Sequence, residues 1–172
     1  MYTLVQNFKT TIYIYSARHN RIVDEILSFV KPLKRRFRFH KDQLINTIIP
    51  NIDFSGIVHR RPDISIVDLI NKKCIFLEIT ICYDLYINQA FNEKMNRYRL
   101  LCDTLIANNF ETKLIVLCFG SLGSIREDVW GGLRYFKPEK ESLKRLLKWC
   151  SISCIIGSNY AWRHRVKRLF RQ

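Results

Sequence analysis

Residues 60–80, RRPDISIVDLINKKCIFLEIT, decide how this chain is read. Ile64, Ile66 and Leu69 are broken by polar positions, which predicts a strand over 63–69. INKK (70–73) supplies a turn. CIFLEITIC (74–82) is β-rich and almost wholly apolar, the pattern of a central strand covered on both faces. Glu78 stands alone as an acid inside it, and Asp63 heads the preceding strand. The residues between them, 64–77, are enough for one strand, a tight turn and most of a paired strand. A hairpin therefore brings both carboxylates to one end of the sheet. Two carboxylates meeting there are costly unless a cation neutralises them. Oxygen ligands without a His or Cys set suit Mg²⁺ or Mn²⁺. The plainer alternative is one buried glutamate paired with one of the many arginines.

Outward from this stretch, HNRIVDEILSFV (19–30) has helical apolar spacing and ends before Pro32. DQLINTII (42–49) is a short amphipathic stretch stopped by Pro50, and FSGIV (54–58) reads as a short strand. Residues 85–109 form the longest helix candidate, and TKLIVLCFG (112–120) is another buried strand ended by GSLG. SLKRLLKWC (142–150) and NYAWRHRVKRLF (159–170) predict two further helices. With no repeat or low-complexity linker, residues 1–172 read as one domain, its core over about 18–125 and a basic helical extension over about 126–172. The element order implies an α/β fold, a small mixed sheet flanked by helices, with extra C-terminal helices.

Of the 172 residues, 29 are Lys or Arg against 15 Asp or Glu, a net charge of +14. Such an excess favours a polyanionic partner through counterion release. The charge is clustered in KPLKRRFRFHK (31–41), HRR (59–61) and WRHRVKRLFR (162–171), two of which interleave aromatics with arginine, as nucleic-acid surfaces often do. No apolar run is long enough to span a bilayer, so no membrane partner is expected, and the N-terminus does not read as a signal peptide. The six cysteines lie mostly in apolar segments, which suggests buried thiols in a reducing, intracellular compartment. Cys150 and Cys154 have no second pair or nearby His to complete a zinc set.

On the long helix, Ile87, Phe91, Lys94, Tyr98, Leu101 and Leu105 share one face. Lys94 and Tyr98 are polar tips on a core-facing row, flanked by Arg97. From the stripe alone, Lys94 either reaches the carboxylates or snorkels to solvent. Asp24 and Glu25 read as a solvated helix face. Asp84 reads as a third acid or a helix cap, and Trp130, Trp149 and Trp162 as packing residues.

These pieces together resemble the PD-(D/E)XK nucleases. The more specific resemblance is to the restriction-like endonuclease domain of site-specific LINE-type (non-LTR) retrotransposons. The matching segments are RHNRIVDEI (18–26), RRPDISIVD (60–68), FLEIT (76–80), ICYD (81–84), QAFNEKMNRYRLL (89–101) and GSLG (120–123), within roughly residues 17–165. The resemblance implies a divalent-metal-dependent DNA endonuclease that nicks its double-stranded target to prime reverse transcription, acting in the nucleus with element RNA as a further partner. It implies metal ligation by Asp63 and Glu78, with Lys94, Arg97 and Tyr98 completing the catalytic site from the helix. Thr80 stands where the usual strand lysine would be. Arg18 and His19 of the RHN motif are expected at the DNA, with helix capping or a part in the chemistry as the alternatives, and Arg35, Arg36, Arg38, Arg60, Arg61, Arg163, Arg165, Lys167 and Arg168 of the basic clusters are expected at the DNA too. Residues 1–17 contain neither Cys nor His, so the zinc knuckle that precedes RHN in the family is not among them, and no reverse-transcriptase module lies within the chain. The alternatives are a catalytically inactive nucleic-acid-binding remnant and a structure-specific repair or Holliday-junction nuclease of the same fold.

Overall fold

The computed structural model describes the backbone of residues 2–34 and 36–169, and the side chains of residues 13–166 apart from residue 35. A four-stranded mixed sheet lies between two layers of helices. The elements run α1 (Tyr2–Val30), β1 (Arg38–Lys41), α2 (Ile45–Ile48), β2 (Ile64–Asp68), β3 (Lys73–Cys82), α3 (Ile87–Ala107), β4 (Glu111–Gly120), α4 (Glu127–Arg134) and α5 (Lys140–Leu169). The sheet order is β1-β2-β3-β4. β1, β2 and β3 pair antiparallel, while β3 and β4 are parallel, with α3 making the crossover a parallel pair requires.

Side-chain alternation along the strands divides the core in two. Ile64, Ile66, Ile75, Leu77, Ile79, Ile115, Leu117 and Phe119 pack on one face against α1, α4 and α5. Val67, Cys74 and Phe76 point to the other face, where they meet Tyr98, Leu101 and Leu105 of α3 and Ile45 and Ile48 of α2. β3 is covered on both faces, which is why its sequence runs apolar rather than alternating.

Several expectations shift. α1 extends well ahead of residue 19. The basic segment contains an edge strand, β1, whose charged side chains suit an unpaired edge while Phe39 packs on the core. Residues 54–58 form turns and not a strand. Phe54 and Ile57 are both buried, and a tight turn with Ile57 N–H donating to the Phe54 carbonyl at 3.0 Å lets two nearby residues point inward, which a strand does not. The two C-terminal helix candidates are one helix: SISCIIGS contains no proline, and Cys150 and Cys154 are both buried in the core.

The helical extension is not separate from the core, since Val129 and Leu133 of α4 and Leu143 of α5 belong to the cluster on the sheet. α4 is not evident in the sequence because a Gly131-Gly132 pair lowers its helix propensity. Gly132 is there for contact: a Cβ at that position would lie 2.6 Å from Ile115 Cγ2. Among the described residues, no helix is long and apolar enough to cross a membrane.

Gly131 and Gly157 lie in the helices α4 and α5, but only Gly131 has open space around its Cα. Gly131→Ala is expected to raise the unfolding free energy by about 0.5–1 kcal/mol, the usual helical gain. Gly157→Ala is expected to bring no gain, because its Cβ would meet Arg18 Cγ at 2.6 Å. Urea denaturation of both variants beside the parent checks the contrast.

Candidate functional site

Strand register builds the site. Ile64 faces Leu77 across the β2–β3 ladder, so the next step outward sets Asp63 opposite Glu78. Both side chains fall in the alternation that faces α3, in series with Ser65 and Phe76. The Asp63 amide donates to Glu78 Oε2 at 3.3 Å, and the Ile79 amide donates to Asp63 Oδ2 at 2.7 Å, so each acid is tied to the other strand's backbone. The expected convergence of the two carboxylates is what the chain adopts.

Glu78 is only 2% exposed. Lys94, one of the partly buried residues of α3, places Nζ on Glu78 Oε1 in a salt bridge. It does not snorkel away from the site. Burial pushes the Glu78 carboxyl above the ordinary carboxylate range, the Asp63 charge adds to that, and Lys94 opposes both. Tyr98, one turn further along α3, is buried and donates its hydroxyl to the Arg61 carbonyl at 3.1 Å. This bond fixes the approach to Pro62 and Asp63. Burial first, and then the charge of Glu78, holds the phenol proton well beyond the usual range, so Tyr98 acts as a donor and not as a base. Arg97, next to Tyr98 on α3, is exposed, and its charge works against the upward shift of the Tyr98 phenol.

His19 reaches the same corner from α1. Its Nε2 lies 3.3 Å from Asp63 Oδ2 and 3.1 Å from the Ile79 carbonyl oxygen. Burial disfavours the charged imidazole, but the bond to Asp63 and its negative charge outweigh that, and the net shift is upward. The sequence places His19 among DNA contacts, whereas its ring is spent on the carboxylate. The adjacency of RHN to the first helix is the only signal that hints at this. Arg18 is also drawn inward. It bonds Ser158 of α5, stacks over Tyr15 at 5.3 Å, and has a pKa lowered by desolvation.

An open cleft of about 690 Å³ lies over this corner, lined by Arg18, His19, Ile79, Thr80, Tyr83, Lys94, Ser121 and Arg165 among others. Thr80 does face the cleft, and the nearby cation comes from α3 instead of from the strand. The other expected basic residues are more scattered. Arg36, Arg38 and Arg163 are exposed, while Arg60 bonds the Phe54 carbonyl at 3.3 Å and Arg61 pairs with Asp42 at 2.8 Å. Arg35 and the side chains of Lys167 and Arg168 lie outside the described residues. Asp24 is exposed and pairs with Lys41 at 2.6 Å, and Glu25 is exposed, as a solvated face requires.

Two readings are corrected. Asp84 neither joins the acids nor caps α3, because its carboxylate is turned onto the 121–124 turn. Trp162 is 63% exposed and not a packing residue, while Trp130 and Trp149 do pack on the core.

The donor set at this corner is two carboxylates and a backbone carbonyl. Among the described residues, no group of three or more His, Cys, Asp or Glu side chains converges as a closed metal cage. That set fits a hard cation that keeps most of its own waters, such as Mg²⁺, held through one or two carboxylates. The chain matches no protein-family model and no curated protein.

Removing Lys94 leaves a buried carboxylate beside a second one. Because the folded pKa of Glu78 already lies above its unfolded value, the native state holds more protons across that interval, and stability falls as pH rises through it. Lys94→Met widens the interval upward. Its melting temperature is expected to drop well below the parent's at mildly alkaline pH, by the equivalent of about 3 kcal/mol. The gap is expected to narrow on acidification and to vanish in Lys94→Met/Glu78→Gln. Melting curves across pH for the three proteins check this.

Proposed function

We propose that this chain is a divalent-metal-dependent DNA endonuclease of the PD-(D/E)XK type, similar to the restriction-like endonuclease domain of LINE-type retrotransposons, that nicks target DNA by phosphodiester hydrolysis. The observation that carries this reading is Lys94 meeting Glu78 beside Asp63 at the mouth of a basic cleft. A structural protein has little reason to set a half-buried acid beside a fully buried one at one end of a sheet and bring a helix lysine to them. The resemblance of motifs and the +14 charge support the same conclusion.

In this mechanism Asp63 and Glu78 would hold a Mg²⁺ or Mn²⁺ ion, which would supply Lewis-acid polarisation of the phosphoryl group and a lowered pKa for water. The Lys94 ammonium exchanges part of its contact with Glu78 for a non-bridging phosphate oxygen, where charge grows in the transition state. A water gives one proton to solvent as its oxygen bonds to phosphorus, the bond from phosphorus to the 3′ oxygen breaks, and that oxygen takes a proton from solvent. The products are a 5′ phosphate and a 3′ hydroxyl, the end a polymerase extends. His19 holds Asp63 in place, and Tyr98 holds the strand entering it. The exposed Arg36, Arg38 and Arg163, with Arg165 at the cleft, contribute phosphate contacts.

One observation favours a second reading, a non-catalytic DNA-binding protein. Asp63 Oδ2 and Glu78 Oε1 already have partners, His19 and Lys94, which leave the acids satisfied without metal. Branched substrates separate either reading from a junction nuclease.

Nicking of supercoiled plasmid by the purified chain tests the proposal. Mg²⁺ or Mn²⁺ is expected to support nicking and Ca²⁺ to support it poorly. Asp63→Asn and Glu78→Gln are expected to abolish it with DNA affinity unchanged, and Lys94→Met to slow it at least about a hundredfold. Full activity in excess chelator overturns the metal mechanism, and a folded parent that binds without nicking supports the second reading. Replacing Arg163 and Arg165 together is expected to flatten the slope of log affinity against log salt by up to about 0.9 per lost duplex contact. An unchanged slope places the C-terminal helix away from DNA.

A further inference from the structure

One feature of the cleft rim is unused by the chemistry above. Tyr83, Leu85 and Tyr86 leave β3 on the short segment before α3, and Leu122 sits on the facing turn. They are 51%, 80%, 59% and 68% exposed, an apolar group on a strongly basic protein. Tyr83 itself lines the cleft together with Lys94 and His19. The rings of Tyr83 and Tyr86 lie 6.1 Å apart, tilted by 55°.

This rim is held rigid from beneath. Asp84 Oδ2 accepts from the Leu122 amide at 2.8 Å and from the Ser121 hydroxyl at 3.2 Å, and Oδ1 accepts from the Ser124 hydroxyl and amide. These bonds hold the Asp84 carboxyl below its usual range even though burial opposes the charge. Gly120 makes the tether possible: a Cβ there would lie 2.1 Å from Asp84 Oδ1. Gly123, at φ +94°, turns the chain, and its carbonyl accepts from Ser151 of α5 at 2.6 Å. A buttress of this kind under exposed apolar side chains fixes where they point. Aromatics held in place lose little freedom when something stacks on them.

We propose that Tyr83, Tyr86 and Leu122 form a base-stacking wedge that engages an unpaired or unstacked nucleobase beside the cleft, so that the protein prefers DNA with a locally opened base step. The proposal rests on the endonuclease reading for its ligand class. The choice of a nucleic acid over a lipid or protein partner follows from the flanking charge: Arg18, Lys94 and Arg165 line the same cleft, suited to a phosphate backbone next to the stacked base. Stacking accepts any base, so the wedge gives a preference for opened DNA and not for a particular sequence.

The test is equilibrium binding of the full chain, in Ca²⁺, to a short duplex and to the same duplex with a central two-base mismatch flanked by 2-aminopurine. The parent is expected to bind the mismatched duplex about tenfold more tightly and to change the 2-aminopurine emission. Tyr83→Ser/Tyr86→Ser is expected to lose that preference while keeping its salt dependence. Asp84→Ala, which keeps both rings but cuts the tether, is expected to lose much of it. Equal affinity for both duplexes with unchanged emission overturns the wedge, as does a preference that survives the double substitution. Binding to neutral lipid vesicles or self-association that disappears with the double substitution, without a mismatch preference, assigns the patch to those partners instead. These outcomes are read without cleavage, so a failed wedge leaves the nuclease proposal standing. A parent that nicks nothing but prefers opened DNA separates the two in the other direction. A chain that binds neither duplex overturns both.

Discussion

A carboxylate sealed inside a β-strand constrains the rest of this molecule. Glu78 lies on the face of β3 that looks at α3, between the apolar layer made by Phe76 and the mouth of the cleft. Left alone, it would be protonated or the strand would not fold there. It is kept by Lys94 at one oxygen and by the Asp63 amide at the other. This fixes the rotation of α3 about its own axis, since Lys94 must face the sheet where Tyr98, Leu101 and Leu105 also enter. It also fixes the β2–β3 register, because a slip of one residue would turn Asp63 to the opposite face.

The second acid then needs its own support, which comes from a different layer. His19 belongs to α1, whose apolar side packs on the opposite face of the sheet from α3, and its ring reaches around the sheet end to Asp63 and the Ile79 carbonyl. Each helical layer thus sends one side chain to the acids, Lys94 from α3 and His19 from α1. Arg18, the neighbour of His19, fastens α1 to α5 at Ser158 and Gly157, so the position of His19 depends on the long C-terminal helix.

The strands, the hairpin pairing of Asp63 with Glu78, and the helix carrying Lys94 were legible because periodicity and a misplaced acid leave local marks. Lys94 stood out because a lysine on an apolar stripe needs a reason. What was not legible depended on tertiary packing. β1 hides in a run of basic residues and becomes a strand only because β2 offers an edge. α4 hides behind two glycines, one of which is required by contact with Ile115. The roles of His19 and Asp84 depend on partners 44 and 37 to 40 residues away, at Asp63 and at Ser121 to Ser124, and no spacing rule reaches that far. Trp162 was misread because its surroundings in α5 mix apolar and basic residues without a clear face.

The central claim is that Asp63 and Glu78 hold a divalent cation in competition with Lys94. Mn²⁺ binding to the DNA-free protein, followed by electron paramagnetic resonance of the free ion, measures this directly. The account predicts one site in the parent, its loss in Asp63→Asn and in Glu78→Gln, and tighter binding in Lys94→Met, where the competing ammonium is gone. Mn²⁺ affinity that is the same in all four proteins would contradict it.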